Sequence, residues 1–479
     1  MRHSRTRAAC AAATGSVALL AALLGPAAPA GAVPDATSGA PVAAPVADGT
    51  LLSYVVNTRA NRGQVQKAER AVVAHGGTVV ASYPEIGVVV AQSAVRDFAA
   101  RVRTASGVES AGQTRTAAVV TPEDSAPTPG NPASVPPAEG TAYDVTAVKA
   151  DQAHLLPGGK GSRDVLVAVL DSGIDDVHED LAANFDAAAS AGCTDGGRLD
   201  RDRSAWLPTS SDHGTHVAGT IAADDNGKGV VGVAPDVRVS SVKVVDENGF
   251  IYPEYAICGY VWAAETGADV SNASLYVDPW QYWCQSDPDQ AAAIESVQRA
   301  VSYATRSGVL SVAAAGNDYR DLGSKGVDTS SPNDTTPVPR DVSTGCVDIP
   351  AELDGVVTTS STTATGEKSA FSNYGLGVID VSAPGSSIWS TTIGDTYGRK
   401  SGTSMASPHA AGVAALLAST HPGATPAQLL ALLRGQADDT PCTAPIVPPG
   451  RAPQTCTGPA EDNAFYGDGR VDALEAVTR

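Results

Sequence analysis

The chain has 479 residues, enough for two or three domains, and its 43% hydrophobic content with 48 glycines and 32 prolines fits a globular protein rich in turns. Lys and Arg total 32 against 52 Asp and Glu, a formal net charge of −20. A surface that acidic repels polyanions, so nucleic acid and anionic lipid are excluded as expected partners.

The first predicted element is a secretory signal peptide over residues 1–32. Arg2, Arg5 and Arg7 give a basic start, Val17–Leu24 an apolar centre, and Ala30-Gly31-Ala32 a small-residue cleavage site. The apolar stretch is soon interrupted by Pro26, too early to span a membrane stably. Cys10 precedes that stretch, so it does not read as a lipid-anchored cysteine. No later run is apolar and long enough for a bilayer, so the expectation is an exported, extracellular protein without an anchor, cleaved near Ala32. Residues 33–49 read as a disordered linker.

Residues 50–120 form a compact alternating unit. TLLSYVVNT and TVVASYPEIGVVVAQ have strand character, while RGQVQKAERAVVAHGG carries Val65, Ala68, Val72 and Val73 at helical spacing and closes on Gly76-Gly77. AVRDFAARVRTASG reads as a second helix. The order strand, helix, strand pair, helix, strand predicts a small α+β domain. Residues 121–140, TPEDSAPTPGNPASVPPAEG, are rich in proline and lack large apolar side chains, which marks an exposed linker open to proteolysis.

From 141 to 479 the pattern changes. DVLVAVLD, VRVSSVKVV, ADVSNASL and VLSVAAAG are short apolar runs separated by the helical stretches THVAGTIAA, PEYAICGYVWAAETG and DQAAAIESVQRAVSYATRSG. Near-continuous apolar strands alternating with helices predict an α/β fold, a parallel sheet covered on both faces, with ligands beyond the carboxyl ends of the strands. Apart from Cys10 the chain has six cysteines, read as three disulfides with fifteen possible connectivities. Cys442 and Cys456 flank the loop PIVPPGRAPQT and are the expected pair; closing a loop of that length contributes roughly 3 kcal/mol in the chain-entropy model.

Three polar motifs sit at predicted strand ends or helix starts. VAVLDSGID puts Asp171 at the end of a strand; SDHGTHVAGT and SGTSMASPH put His213 and Ser404 at the heads of helices. Each alone reads most simply as a cap or turn residue. Together they supply an acid, an imidazole and a hydroxyl, the minimum for nucleophilic acyl transfer, because a serine hydroxyl attacks only when a base takes its proton. DSGID, HGTHVAGT and GTSMASPH, in that order, resemble the three signatures of the subtilisin-like serine peptidases (subtilases), over roughly residues 141–479.

The resemblance implies a subtilisin-like catalytic domain, with FYGDGRVDALEAV as its closing strand and helix. Asp171 would orient the imidazole, His213 act as general base then acid, and Ser404 attack the scissile carbonyl. His216, three positions on, is read as structural, and Ser401 and Ser407 as packing or capping residues. Asn317, in AAAGND, would donate to the oxyanion alongside the Ser404 N–H. The segment that pairs with substrate commonly reads SLGG in the family; here it is SLYV, so Ser274, Leu275 and Tyr276 are expected to bind substrate, with Tyr276 and Val277 adding bulk. Ala314, Ala315 and Gly316 are expected to line one wall, and Cys284 and Cys346 to flank the same cleft as a disulfide. No cofactor is expected for catalysis. A structural Ca²⁺ is expected between Asp180 and the loop carrying Asp224, Asp225 and Asn226, since oxygen ligands suit a hard cation.

Residues 50–120 resemble the family's inhibitory propeptide, which implies a zymogen matured between Gln113 and Gly140. The expected partners are protein or peptide substrates and the chain's own propeptide, for a monomer. The alternatives are a processing peptidase of narrow specificity, hinted at by SLYV, and a catalytically silent binding protein, which would be expected to lack one of Asp171, His213, Ser404 or Asn317. Pro408 stands inside the helix that Ser404 opens, where proline costs roughly 3 kcal/mol. Its missing N–H is expected to release the Ser404 carbonyl and loosen the helix at that end.

Overall fold

The computed structural model describes residues 49–119, 135–209 and 211–479. The expected signal peptide, the linker after it up to residue 48, and residues 120–134 of the proline-rich stretch lie outside the described residues.

The amino-terminal unit runs β1 (Leu52–Thr58), α1 (Arg62–Ala74), β2 (Thr78–Tyr83), β3 (Val88–Ser93), α2 (Phe98–Arg103) and β4 (Val108–Gln113). Its antiparallel sheet has the order β2-β3-β1-β4. Alternation along β1 divides the side chains: Leu52, Tyr54 and Val56 face α1 and α2 with Val65, Val72 and Phe98, while Val55 points to the other face and joins Ile86 and Val88 against the helices of the following unit. Asn61 caps α1 by accepting from the Gln64 N–H.

The larger unit is built on a sheet of eight strands. In chain order these are β5 (Leu166–Asp171), β6 (Ala191–Asp195), β7 (Arg198–Asp200), β8 (Arg238–Lys243), β9 (Val270–Ala273), β10 (Leu310–Ala314), β11 (Val356–Thr362) and β12 (Val381–Pro384). Across the sheet the order is β12-β11-β10-β9-β5-β8-β6-β7. All neighbours pair parallel except β7, which turns back on β6 at the edge and makes the sheet mixed. The helices are α3 (His213–Ala222), α4 (Pro253–Glu265), α5 (Pro288–Arg306), α6 (Thr403–Thr420), α7 (Pro426–Gly435) and α8 (Ala473–Thr478). Leu166, Ala168 and Leu170 of β5 pack with α4 and α5; Val167 and Val169 pack with α3 and α6 on the opposite face. A strand covered on both sides needs apolar residues at every position, which is why β5 reads LVAVLD.

Helix α6 is buried almost all round, from Met405 to Ala418. Its alanines let neighbours approach: a Cβ on Gly412 would lie 2.6 Å from Val233 Cβ. The closing segment differs from expectation. Instead of a strand, Arg470 makes only isolated bridges to Ser382 and Asp438 before α8 begins, because two left-handed glycines, Gly467 and Gly469, break the extended run. Three disulfides join Cys193 to Cys258, Cys284 to Cys346 and Cys442 to Cys456. Among the described residues no helix is long and apolar enough to cross a membrane. Gly412→Val should cost about 3 kcal/mol by overpacking the contact with Val233, read as a lowered thermal unfolding midpoint.

Candidate active site

The carboxyl ends of β5, β9 and β10 and the first turns of α3 and α6 meet at one cleft, lined by Asp171, His213, Ser274, Leu275, Tyr276, Ala314, Gly316, Asn317 and Ser404 among others. Asp171 ends β5 and is buried. Its carboxylate faces the imidazole of His213, whose Nδ1 lies 2.8 Å from Oδ1 and 3.0 Å from Oδ2. The start of α3 is set by Ser172 and Ser211: Ser172 Oγ accepts from the Gly214 N–H at 3.0 Å, and Ser211 Oγ from the His213 N–H at 3.2 Å. Burial disfavours the His213 imidazolium, but the charge and hydrogen bond of Asp171 outweigh it, so the ring titrates above the ordinary histidine value. His216 differs sharply. It is fully buried, its Nε2 bonds the Ile388 carbonyl at 3.1 Å, and burial followed by the charges of Lys400 and His213 pushes it down to about 3.

Ser404 stands in the first turn of α6 behind Gly402. In this arrangement its hydroxyl donates to the Ser274 carbonyl at 3.1 Å, not to His213. The Ser404 carbonyl does leave the helical ladder at Pro408, but it is not left loose: Ser274 Oγ donates to it at 2.9 Å. Ser274 Oγ in turn meets Asn272 Nδ2 at 2.9 Å and Ser407 Oγ at 2.8 Å. The expectation of a loosened helix end is therefore corrected. The freed carbonyl anchors α6 to the end of β9, and Ser407 belongs to that anchor. Ser401 accepts from the Ser387 N–H at 2.8 Å and so holds the preceding loop.

Asn317 follows β10. Its Oδ1 accepts from the Thr403 N–H at 2.8 Å and from Thr403 Oγ1 at 3.1 Å, which leaves the NH₂ end for the cleft. Gly316 precedes it at φ +91°, where a Cβ would lie 2.4 Å from Asn373 Nδ2, so only glycine brings the chain past this point. One residue expected in the wall and one expected to add bulk to the cleft face elsewhere. Ala315 is fully buried against Tyr282 and Leu322, since successive side chains alternate sides in extended backbone, and Val277 is buried in the core beneath the cleft. Tyr276 does reach the cleft, where its hydroxyl accepts from Asn333 Nδ2 at 3.0 Å.

Cys284 and Cys346 are paired, and the short strands Trp283–Cys284 and Cys346–Val347 lie antiparallel beside the cleft. Besides Asp318, which closes AAAGND, the cleft takes in lining residues that no motif marked: Gln281, Asn333 and the buried Asp348. They come from three separate segments, and each has an ordinary loop sequence.

Asp180 and Asn226 come together, but as partners of each other. Asn226 Nδ2 donates to Asp180 Oδ1 at 3.1 Å, and the Val230 N–H to Asp180 Oδ2 at 3.1 Å. Asn226 Oδ1 accepts from the Lys228 N–H at 3.0 Å, while Lys160 pairs with Asp225. With N–H donors on both carboxylate oxygens the residues do not fit a calcium ion, which needs a cage of free oxygens. Among the described residues no group of three or more His, Cys, Asp or Glu could hold a metal.

With this geometry in view, residues 162–469 match the model of the subtilase family. The chain belongs to the subtilase family. Among its relatives, this subtilase is 38% identical over 296 residues to Subtilisin NAT of Bacillus subtilis subsp. natto, a match covering 61% of the chain and 65% of that relative's length. It is likewise 38% identical over 296 residues to Subtilisin of Bacillus pumilus, covering 61% of the chain and 90% of the relative. The fold is shared with the crystal structure of the epidermin leader peptide processing serine protease of Staphylococcus aureus, at 21% identity and a TM-score of 0.66 over 89% of this chain and 98% of that one.

The charges at His213 and His216 and the hydrogen bonds of Asp180 lead to three measurable outcomes. In a histidine NMR titration His213 should protonate above 6.5 and fall on Asp171→Asn, while His216 stays neutral down to about 3. Because the base form of His213 exists only above its pKa, any activity that uses it should be lost as pH falls through that raised value. Chelation of calcium should leave the thermal midpoint unchanged, since Asp180 is already satisfied by Asn226 and Val230.

Proposed function

We propose that this subtilase is a serine endopeptidase, exported and made as a zymogen, that hydrolyses peptide bonds of protein or peptide substrates as a monomer without a cofactor. The observation that carries the reading is the two-oxygen approach of Asp171 to His213 Nδ1 in the same cleft as Ser404 and Asn317. Asp171 fixes the tautomer with the proton on Nδ1, leaving Nε2 to accept. Ser404 Oγ gives its proton to Nε2 in place of its resting bond to Ser274 and attacks the scissile carbonyl carbon. The oxyanion is met by Asn317 Nδ2 and the Ser404 N–H; one such donor is worth about 10²–10³ in rate, a magnitude measured in subtilisin itself. His213 then protonates the leaving amine, and water repeats the sequence on the acyl-enzyme.

The zymogen reading is supported by how the sheet β1–β4 sits on α4 and α5. Asn57 is fully buried at that contact, yet satisfied: Nδ2 donates to the Ala292 carbonyl at 2.9 Å and Oδ1 accepts from Ser296 Oγ at 2.9 Å. Arg299 reaches back to the Thr58 carbonyl at 2.5 Å and to Glu109 at 2.8 Å. Beyond β4, Arg115 forms a buried ion pair with Glu254 at 2.5 Å and covers the Tyr252 ring at 3.7 Å. We place maturation between Gln113 and Gly140, after which residues 50–120 act as an inhibitor. Three disulfides support an oxidising destination.

The test compares the expressed chain with its Ser404→Ala variant by intact mass and casein digestion. Loss of the amino-terminal domain in the wild type alone, with casein degraded, is the expected outcome. Two full-length, inert proteins would overturn the reading. A processed wild type that leaves casein intact would narrow it to a processing peptidase, the reading that the bulk of Tyr276 favours.

A further inference from the structure

The cleft beside Ser404 contains an acid that acyl transfer does not use. Asp348 lines it together with Gly316, Asp318 and Gln281, yet is only 1% exposed. Its Oδ2 has one long contact, 3.4 Å from Gln281 Nε2, and its Oδ1 has no partner. A buried carboxylate normally ionises only with a cation beside it. The cation that acts on it, Lys325, is held by other groups: its Nζ meets Glu352 and the Leu322 carbonyl, both at 2.7 Å. Glu352 approaches from the other side, accepting from the Asp348 N–H at 2.7 Å. Burial, with Glu352 and Asp318 adding to it, pushes the Asp348 carboxyl well above the usual carboxylate range.

The cleft that Asp348 lines is large enough to take a side chain. The cleft encloses about 490 Å³, and Gly316 presents no side chain: a Cβ there would stand 3.6 Å from Asp348 Oδ2. Resting on the peptidase reading above, we propose that Asp348 is the floor of a specificity pocket that selects Lys or Arg on the acyl side of the scissile bond. An entering ammonium or guanidinium supplies the missing counter-charge to the Asp348 carboxylate, with Asp318 as a second acid on the wall. An apolar side chain would instead leave the buried acid unpaired, and a site built around such a group rejects ligands that lack the complement.

Processed protein is assayed on peptide p-nitroanilides that end in Arg, Lys, Leu or Phe. Arg or Lys should exceed Leu and Phe in kcat/KM by about 10²-fold, and Asp348→Asn should collapse the Arg-to-Leu ratio by a similar factor. Preference of the wild type for Leu or Phe, or an unchanged ratio in the variant, overturns the assignment. Failure of the peptidase reading would silence all four substrates, so binding is measured separately. The wild-type protein as it is recovered after expression is titrated with p-aminobenzamidine, a fluorescent cationic ring that binds without needing Ser404. Saturable binding that Asp348→Asn abolishes supports the pocket even without hydrolysis; absence of binding to the processed wild type, or equal binding after Asp348→Asn, overturns it.

Discussion

Pro408 has no N–H, so the carbonyl of Ser404 leaves the ladder of α6 and takes the hydroxyl of Ser274 at 2.9 Å instead. That exchange fastens the head of a buried helix to the end of a central strand. Thr403 makes a second tie, to Asn317 at the end of β10, through its N–H and its hydroxyl. Two adjacent residues of α6 are thus fixed to two adjacent strands, and the sheet register sets where Ser404 stands. The helical bond that proline removes is replaced by one with a direction the site can use, so proline's local cost leaves a rigid result.

The amino-terminal sheet meets the larger unit through the same economy of polar groups. Asn57 is buried between them and meets Ala292 and Ser296 of α5 as well as Ser110 of its own sheet. A buried amide with a partner at each end demands one geometry, because a displaced sheet would strand it. Apolar contact by Val55, Ile86 and Val88 supplies the area, while Asn57 and the Arg115–Glu254 pair set the alignment.

Much of this was legible in the sequence. β5, β9 and β10 are buried on both faces, so their residues are mostly apolar, with the small Ser271 and Ser311 bonded to each other across β9 and β10, and the polar residues after them stood out. Asp171, His213, Ser404 and Asn317 each lie within a stretch of the site that is local in the chain. Ala315 and Val277 were misread because sequence order does not tell which side of an extended backbone faces the cleft. Asp348 was invisible for another reason: its surroundings come from residues 281, 316, 318 and 352, joined only by folding. Asp180 and Asn226 were correctly brought near each other, but adjacency alone could not tell a hydrogen bond from a shared cation.

The cross-link between Cys284 and Cys346 divides the cleft mechanically. One side, with Asp171, His213 and Ser404, is carried by the parallel sheet and α6, and depends on no covalent tie. The other side, where Gln281 and Asp348 stand, is made of loops held together by a two-residue strand pair, its disulfide and the bond from the Val277 N–H to the Ile349 carbonyl at 2.8 Å. One half of the cleft thus takes its shape from sheet register, the other from cross-ties between loops.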